Sequence, residues 1–254
     1  MNLNELAKLL EPVALKAGAK IMEIYLGDPE VDLKRDGSPV TEADLAAEKI
    51  ILTALAKIAP NIPIISEENS ASHLLDAPKT FFLVDPLDGT KEFTKRDGKG
   101  SFTVNIALIE NEIPIMGIVY APALDRLFVG VDGEGAIEKS KSNERSLSVR
   151  NPKLENIVAV ASASHRDGLT DNWLAERGIN NTISIGSSLK FCLIAAGEAD
   201  VYPRFGPTME WDTAAGDAIL RAAGGKMTKI DKAKFVYGKP DYFNGPFIAW
   251  GGFS

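Results

Sequence analysis

Hydrophobic spacing near the N-terminus predicts a long amphipathic helix. Apolar residues recur there at steps of three and four, the spacing of one helix face: Leu3, Leu6, Leu10, Val13, Ala14, Ala17, Ile21 and Ile24. Pro12 lies inside this pattern and predicts a kink or a helical restart, because proline removes a backbone donor. A second helix is expected to run to Ala59, and Thr41 and Asp44 have the spacing of a capping arrangement at its start.

The middle of the chain alternates between apolar and polar residues, which predicts antiparallel strands. An apolar run at 81–84 predicts a buried strand that Pro86 ends. Further strands are expected at 114–120 and 126–131, and the polar run 140–146 predicts a surface connection. The clearest alternation predicts a strand with one apolar face, formed by Phe102, Val104, Ile106 and Leu108 and separated by Thr103, Asn105 and Ala107.

From Ile157 the pattern changes to strands that alternate with helices. Strands are predicted at 157–160 and 182–185, and helices at 170–177, 188–197 and 212–223. Such alternation is typical of an α/β arrangement. The chain is therefore predicted to have an N-terminal antiparallel-sheet half, 1–150, and a C-terminal α/β half, 151–254.

Composition narrows the protein class without identifying it. Hydrophobic residues make up 45% of the 254 and charged residues 25%, which is ordinary for a soluble globular protein. The net charge of −7 argues against a nucleic-acid-binding surface. The single cysteine, Cys192, excludes an intramolecular disulfide, and its apolar surroundings predict a buried thiol. No apolar run approaches membrane-spanning length and the N-terminus lacks a secretory pattern, so the cytoplasm is the expected location.

Two carboxylates stand three positions apart after the apolar run at 81–84. Asp85 and Asp88 offer the oxygen ligands that hard cations prefer. Gly89 and Thr90 follow, where a turn or a helix start would present backbone N–H groups to an anion. This segment predicts a site for metal ions and a phosphate.

Two distant acids are candidates to complete that site. Glu67 follows a short apolar run, and Asp212 precedes an Ala-rich helix. If both meet Asp85 and Asp88, the pocket is rich in oxygen and suits Mg²⁺ better than zinc. Two such ions can clamp the attacking and leaving oxygens of a phosphoryl transfer. The alternatives are structural: an Asp-Pro-x-Asp-Gly turn binds nothing in many loops, and Asp212 suits a plain helix cap.

The motifs Asp-Pro-Leu-Asp-Gly-Thr at 85–90 and Trp-Asp-Thr-Ala-Ala-Gly at 211–216 resemble the paired motif of the inositol monophosphatase superfamily. These are lithium-sensitive, magnesium-dependent phosphomonoesterases. The resemblance implies an α+β fold, a layered α/β/α/β/α sandwich of the sugar-phosphatase type. It also implies two or three Mg²⁺ ions, inhibition by Li⁺, and a monomer or homodimer. Peripheral association with the inner membrane is compatible with it.

The resemblance also assigns roles to individual residues. Asp44 would hydrogen-bond Thr90, and this pair, with Glu67, would orient the attacking water. The N–H groups of Gly89 and Thr90 would hold the phosphate. The expected metal ligands are Glu67, Asp85, Asp88, Asp212 and the carbonyl of Leu87.

The polar segment 34–39 has two interpretations. By resemblance, Lys34 and Asp36 belong to a mobile flap that covers the metal site. The alternative is a solvated loop without a role.

Two C-terminal segments bear on the substrate. Ser-Ser-Leu-Lys-Phe-Cys at 187–192 and Tyr-Pro-Arg-Phe-Gly-Pro-Thr at 202–208 resemble the bacterial 3'(2'),5'-bisphosphate nucleotidases of the sulfur-assimilation type. The resemblance implies hydrolysis of adenosine 3',5'-bisphosphate to AMP and phosphate. The substrate-binding residues would then be Gly89, Thr90, His165, Ser187, Lys190, Arg204 and Asp212.

Other interpretations of these residues stay open. Lys190 is alternatively a surface lysine, and Arg204 an ion-pair partner of Asp200 or Glu198. A guanidinium at Arg204 suits bidentate phosphate recognition. His73 is expected in an exposed loop without a role. An inositol monophosphatase, a fructose-1,6-bisphosphatase-type sugar phosphatase, and a non-catalytic metal- and phosphate-binding sensor are the alternative functions.

Overall fold

A computed structural model of the protein describes residues 2–27, 31–33, 39–95, 100–141, 143–162 and 166–253. Within these ranges the chain forms six α-helices and two main β-sheets. The helices are α1 Leu3–Leu26, α2 Glu42–Ile58, α3 Thr90–Lys95, α4 Gly168–Glu176, α5 Leu189–Ala195 and α6 Ala214–Ala222. None of the helices in the described ranges is long and apolar enough to cross a membrane.

Both N-terminal helices begin with a capping box. In α1 the Asn2 side chain pairs reciprocally with Glu5, and in α2 Thr41 pairs with Asp44, as the sequence predicts. Helix α1 runs through Pro12 as one element, so the predicted restart is wrong. Pro12 is exposed, and so is Lys8, whose carbonyl would otherwise accept from the N–H at position 12, so water can satisfy that carbonyl.

The first sheet has seven strands in sequential order and is antiparallel except for its first pair. Its strands are β3 Ile64–Ser66, β4 Thr80–Asp88, β5 Thr103–Glu110, β6 Ile113–Ala121, β7 Arg126–Val131, β8 Gly135–Ser140 and β9 Asn143–Leu147. The two short strands β1 Val31–Leu33 and β2 Pro39–Thr41 pair with each other ahead of it.

Two details of this sheet correct the sequence analysis. Strand β5 is buried on both faces because helices cover both, so its polar residues Thr103 and Asn105 lie inside the protein. The polar run predicted as a surface connection contains β9, an edge strand whose outward residues are exposed. An edge strand has one neighbour, and polar residues suit its open side.

The second sheet has the order β11-β10-β12-β16-β14 and mixes parallel with antiparallel pairs. Its strands are β10 Val158–Ser162, β11 Asn181–Ile185, β12 Val201–Arg204, β14 Lys226–Lys229 and β16 Phe247–Trp250. A separate pair joins β13 Thr208–Met209 to β15 Phe243–Asn244.

The layers follow from three hydrophobic clusters. One lies between α1, α2 and the first sheet, the second surrounds α5 and α6 between the two sheets, and the third lies between the second sheet and α4. This arrangement confirms the predicted α/β/α/β/α sandwich. Cys192 is buried in the central layer, where burial raises the pKa of its thiol. The division into halves at residue 150 stays a prediction.

Candidate active site

A break in strand pairing shapes the end of β4. The strand continues past Pro86, contrary to prediction, but its register against β5 shifts between Asp85 and Asp88. Pro86 lacks an N–H for the ladder, and the N–H of Leu87 turns back to Asp85 Oδ1 at 3.0 Å. Regular pairing resumes at Asp88, opposite Thr103. The bulge therefore places both acids where the sheet meets the site.

Three predicted metal ligands converge. Glu67, Asp85 and Asp212 each offer a carboxylate oxygen, and these oxygens lie within 4.8 Å of one another. Asp85 Oδ2 is buried without a hydrogen-bond partner among the described residues. Burial first, and then the charge of Glu67, raises the pKa of Asp85 well above its ordinary value. Burial and the charge of Asp88 raise the pKa of Asp212 in the same way.

This donor set fits a hard cation. Closely spaced carboxylates repel one another, and a divalent ion relieves that repulsion while it coordinates oxygen ligands. The partnerless oxygen of Asp85 is a ligand position that no donor of the described chain occupies. The group therefore suits Mg²⁺, as the sequence predicts.

Asp88 lines the same cavity but lies outside that spacing. Its Oδ2 accepts a hydrogen bond from the Ser188 backbone N–H at 2.5 Å. Burial raises the pKa of Asp88 to about 6, although the charge of Lys190 acts in the opposite direction. Asp88 thus joins the end of β4, in the first sheet, to the start of α5, in the helical layer between the two sheets.

The Asp44 carboxylate has two tasks. Its Oδ2 accepts from the Thr41 hydroxyl at 2.7 Å and from the Thr41 N–H at 2.8 Å, which closes the cap of α2. Its Oδ1 accepts from Thr90 Oγ1 at 3.3 Å. Thr90 Oγ1 also lies 3.3 Å from the carbonyl of Leu87. The capping interpretation and the predicted contact with Thr90 therefore hold together, one for each oxygen.

Four of the predicted site residues, Glu67, Asp88, Thr90 and Asp212, line one cavity of about 430 Å³. It lies between the end of β4, the start of α5 and the segment that carries Asp212. Its polar and charged lining includes Glu67, Asp88, Thr90, Lys91, Glu92, Ser162, Ser187, Lys190, Tyr202, Arg204, Thr208, Asp212 and Thr213.

Lys190 is a buried cation in the wall of this cavity. It is 5% exposed, so the interpretation as a surface lysine is wrong. Its Nζ donates to the Ser187 carbonyl at 2.5 Å and lies 5.2 Å from the centre of the Tyr202 ring. Burial lowers the pKa of Lys190 to about 8 against the charge of Asp88. Ser187 has a φ of 52°, a left-handed conformation that is strained for a residue other than glycine. Its carbonyl accepts the Lys190 hydrogen bond at the start of α5.

Arg204 is also nearly buried, and it organises the loop that follows β12. Its Nε donates to the Gly206 carbonyl at 3.1 Å and its Nη2 to the Pro207 carbonyl at 2.9 Å. These bonds occupy the side edge of the guanidinium, so a phosphate would have to meet Arg204 at its Nη1 end. Asp200 and Glu198 form their ion pairs with other arginines, so the alternative that Arg204 is their ion-pair partner is wrong.

Some predicted site residues lie outside the described ranges, and the sequence analysis missed some residues that line the cavity. His165, Lys34 and Asp36 are not among the described residues. Tyr202 and Glu92 line the cavity, and the only sequence signal for them is that they stand in the motif segments. The prediction for His73 is wrong: it is partly buried and stacks on Trp211 with ring centroids 4.6 Å apart.

Comparisons with known proteins agree with this geometry. Residues 2–249 match the model of the inositol monophosphatase family. The 3'(2'),5'-bisphosphate nucleotidase CysQ of Shigella flexneri is 46% identical over 215 residues, which cover 84% of this chain and 85% of the relative. The CysQ crystal structure from Bacteroides thetaiotaomicron aligns with a TM-score of 0.84 at 39% identity, over 100% of this chain and 99% of its own.

A more distant structure extends the likeness. The inositol monophosphatase of Anabaena aligns with a TM-score of 0.77 at 27% identity, over 99% of this chain and 92% of its own. The family match includes the four acids predicted as metal ligands and strands of both sheets. By fold, motif and sequence, the chain belongs to the inositol monophosphatase family.

Proposed function

We propose that the chain is a magnesium-dependent phosphomonoesterase that hydrolyses adenosine 3',5'-bisphosphate to AMP and phosphate. The substrate is inferred from the burial of Lys190 and Arg204, which are 5% and 8% exposed. Both lie in the wall of the cavity that Glu67, Asp88 and Asp212 also line. Buried cations are expensive without an anionic partner, and a second phosphate is one. The likeness to relatives named 3'(2'),5'-bisphosphate nucleotidase supports the same substrate.

Mg²⁺ would be held by Glu67, Asp85, Asp88 and Asp212 with the Leu87 carbonyl. When bound, it supplies Lewis-acid polarisation of phosphoryl oxygens and lowers the pKa of water. The number of ions, two or three, and inhibition by Li⁺ stay predictions. The chain itself contributes the buried, closely spaced carboxylates that attract the cation.

Thr90, Asp44 and Glu67 would orient the attacking water. Asp44 Oδ1 accepts the Thr90 hydroxyl proton at 3.3 Å, which leaves the Thr90 oxygen free to accept from a water. Glu67 would accept the other proton of that water. Attack would form the new P–O bond in line with the ester oxygen while the bond from phosphorus to that oxygen breaks. The oxygen stays on the ribose and takes up a proton from solvent, and Glu67 returns its proton to solvent. The N–H groups of Gly89 and Thr90 would hold the phosphate.

The second phosphate would lie against Lys190. Its Nζ has three donors and uses one on Ser187, so two remain for a ligand. Arg204 would add a contact through Nη1, since its side edge holds the loop carbonyls. His165, the flap residues Lys34 and Asp36, cytoplasmic location and the state of monomer or homodimer stay predictions.

The test is phosphate release in Mg²⁺ from adenosine 3',5'-bisphosphate, inositol 1-phosphate and fructose 1,6-bisphosphate, each with and without Li⁺. We expect strong preference for the nucleotide and inhibition by Li⁺. Lys190→Ala should lose that preference, whereas Lys57→Ala, an exposed lysine on α2, should keep it. Preference for a sugar or inositol phosphate would refute the substrate. Release from none of them would refute catalysis and favour a sensor.

A further inference from the structure

His73 lies between the two segments that carry Glu67 and Asp212. It stands in a single 3-10 turn, Ser72–Leu74, which follows β3. Its Nε2 is 2.8 Å from the carbonyl of Ser66, the residue before Glu67. Its ring stacks on Trp211, the residue before Asp212, with centroids 4.6 Å apart and planes inclined by 21°. One side chain therefore contacts the neighbours of two metal-site acids.

The chemistry of these contacts is directional. A carbonyl oxygen only accepts hydrogen bonds, so Nε2 carries the proton and donates it. Trp211 is 4% exposed, which gives the imidazole a fixed surface to stack on. The Tyr242 hydroxyl donates to the Leu75 carbonyl at 2.8 Å, and its ring lies 6.4 Å from that of Trp211. The 3-10 turn is thus attached at two points to the C-terminal elements.

These attachments matter because Glu67 and Asp212 come from different parts of the fold. Glu67 follows an edge strand of the first sheet, and Asp212 lies between β13 and α6. Neither sheet joins the two segments by strand pairing. Their like charges repel at the spacing of the three-carboxylate group, so contacts around them must oppose that repulsion before a cation arrives. The Glu67 N–H donates to the Val84 carbonyl at 3.1 Å. The Met209 N–H donates to Asp212 Oδ2 at 2.9 Å. These bonds fix each acid within its own segment, whereas His73 joins the two segments.

We propose that His73 is a positioning residue that holds Glu67 and Asp212 at ligand spacing and so sets the affinity of the site for divalent cations. The inference rests on the proposed function only in taking these acids as metal ligands. Residues beyond the direct ligands commonly change metal affinity by 10- to 100-fold when replaced. His73 differs from such residues in acting through the residues that precede the two acids in sequence, by a hydrogen bond to the Ser66 carbonyl and a ring stack on Trp211.

The test is calorimetric titration of Mg²⁺, and separately Mn²⁺, into the metal-free protein, with melting temperatures measured in EDTA. We expect His73→Ala to weaken cation binding about tenfold. His73→Phe keeps a ring for the stack and loses the hydrogen-bond donor, so its affinity for the cation should lie between those of wild type and His73→Ala. Leu74→Ala is the matched control, because Leu74 belongs to the same turn and is 87% exposed. It should bind as tightly as wild type.

The outcomes separate this inference from the proposed function. Equal cation affinity in wild type, His73→Phe and His73→Ala would overturn the inference alone. A lower melting temperature with unchanged affinity would overturn it too, since it would show a purely structural role. If His73→Ala does not fold, His73→Phe decides, and wild-type affinity there would refute the role of the hydrogen bond. A wild-type protein that binds no divalent cation would overturn the proposed function as well.

Discussion

Replacing Lys190 with methionine should raise stability and lower activity together. Burial is the largest influence on this side chain and lowers its pKa from the ordinary 10.5 to about 8. Asp88 and Glu92 act in the opposite direction but do not compensate. Methionine has a similar length and no charge, so it fills the same space without the desolvation penalty.

The magnitude follows from the pKa difference. At about 1.4 kcal/mol per pH unit, a fall from 10.5 to about 8 corresponds to roughly 3 kcal/mol of folding free energy. The gain should be smaller, about 1–3 kcal/mol, because methionine cannot donate the hydrogen bond that Lys190 Nζ gives to the Ser187 carbonyl. Since the folded pKa lies below the unfolded one, the penalty is fully present below about pH 8 and disappears as the pH rises towards 10.5.

Two assays examine the variant. Urea unfolding in EDTA should show Lys190→Met to be more stable than wild type at pH 7, with the difference shrinking by pH 10. In Mg²⁺, its kcat/KM for adenosine 3',5'-bisphosphate should fall about 10- to 100-fold, the value of one charged hydrogen bond. Adenosine 3'-monophosphate, which lacks the second phosphate, should be hydrolysed nearly as before. Lys57→Met, on an exposed site of α2, is the control for both assays.

Either of two results would refute the role given to Lys190. A Lys190→Met variant less stable than wild type at pH 7 would mean that the Asp88 charge outweighs desolvation. Equal losses on the bisphosphate and the monophosphate would mean that Lys190 does not contact a second phosphate.

Further predictions concern the metal site and the central layer. Asp88→Asn should lower kcat by several orders of magnitude with an unchanged circular dichroism spectrum, and near wild-type turnover would refute its role. Because the pKa of Asp88 is raised to about 6, the metal-free protein should lose up to about 3 kcal/mol as the pH rises from 4 to 6. Calorimetry should then show more stabilisation by Mg²⁺ at pH 7.5 than at pH 5, and equal stabilisation would contradict this. Thr90→Val should lower kcat at least 100-fold with little change in KM, whereas Thr90→Ser should keep most activity. Gly216→Ala should cost about 1–3 kcal/mol in urea unfolding, because its Cβ would meet Phe191 Cδ2 at 2.5 Å, and a neutral result would show that α5 gives way.

Local features could be predicted from the sequence because their causes are local. The capping box of Thr41 and Asp44 depends on residues three apart, and the structure confirms it. The periodicity of α1 depends on its own residues, and so does the apolar run of β4. The acids Asp85 and Asp88 were placed correctly at the end of that strand, because the change from apolar to charged residues marks where a buried strand leaves the core.

Other features depend on what packs against each element, and periodicity does not report that. Strand β5 is covered on both faces by helices distant in the chain, so its polar residues are buried. The continuation of β4 past Pro86 depends on its pairing with β5, which absorbs the proline as a bulge.

The sequence by itself determined most of the elements, the family motifs and the four candidate metal-ligand acids, Glu67, Asp85, Asp88 and Asp212. The tertiary structure decided which groups meet: it buried Lys190 and occupied one edge of Arg204 with loop carbonyls. It also placed His73 between the neighbours of Glu67 and Asp212. The physical reason is that burial and contact arise between segments far apart in the chain, whereas caps, turns and periodicity arise within one segment.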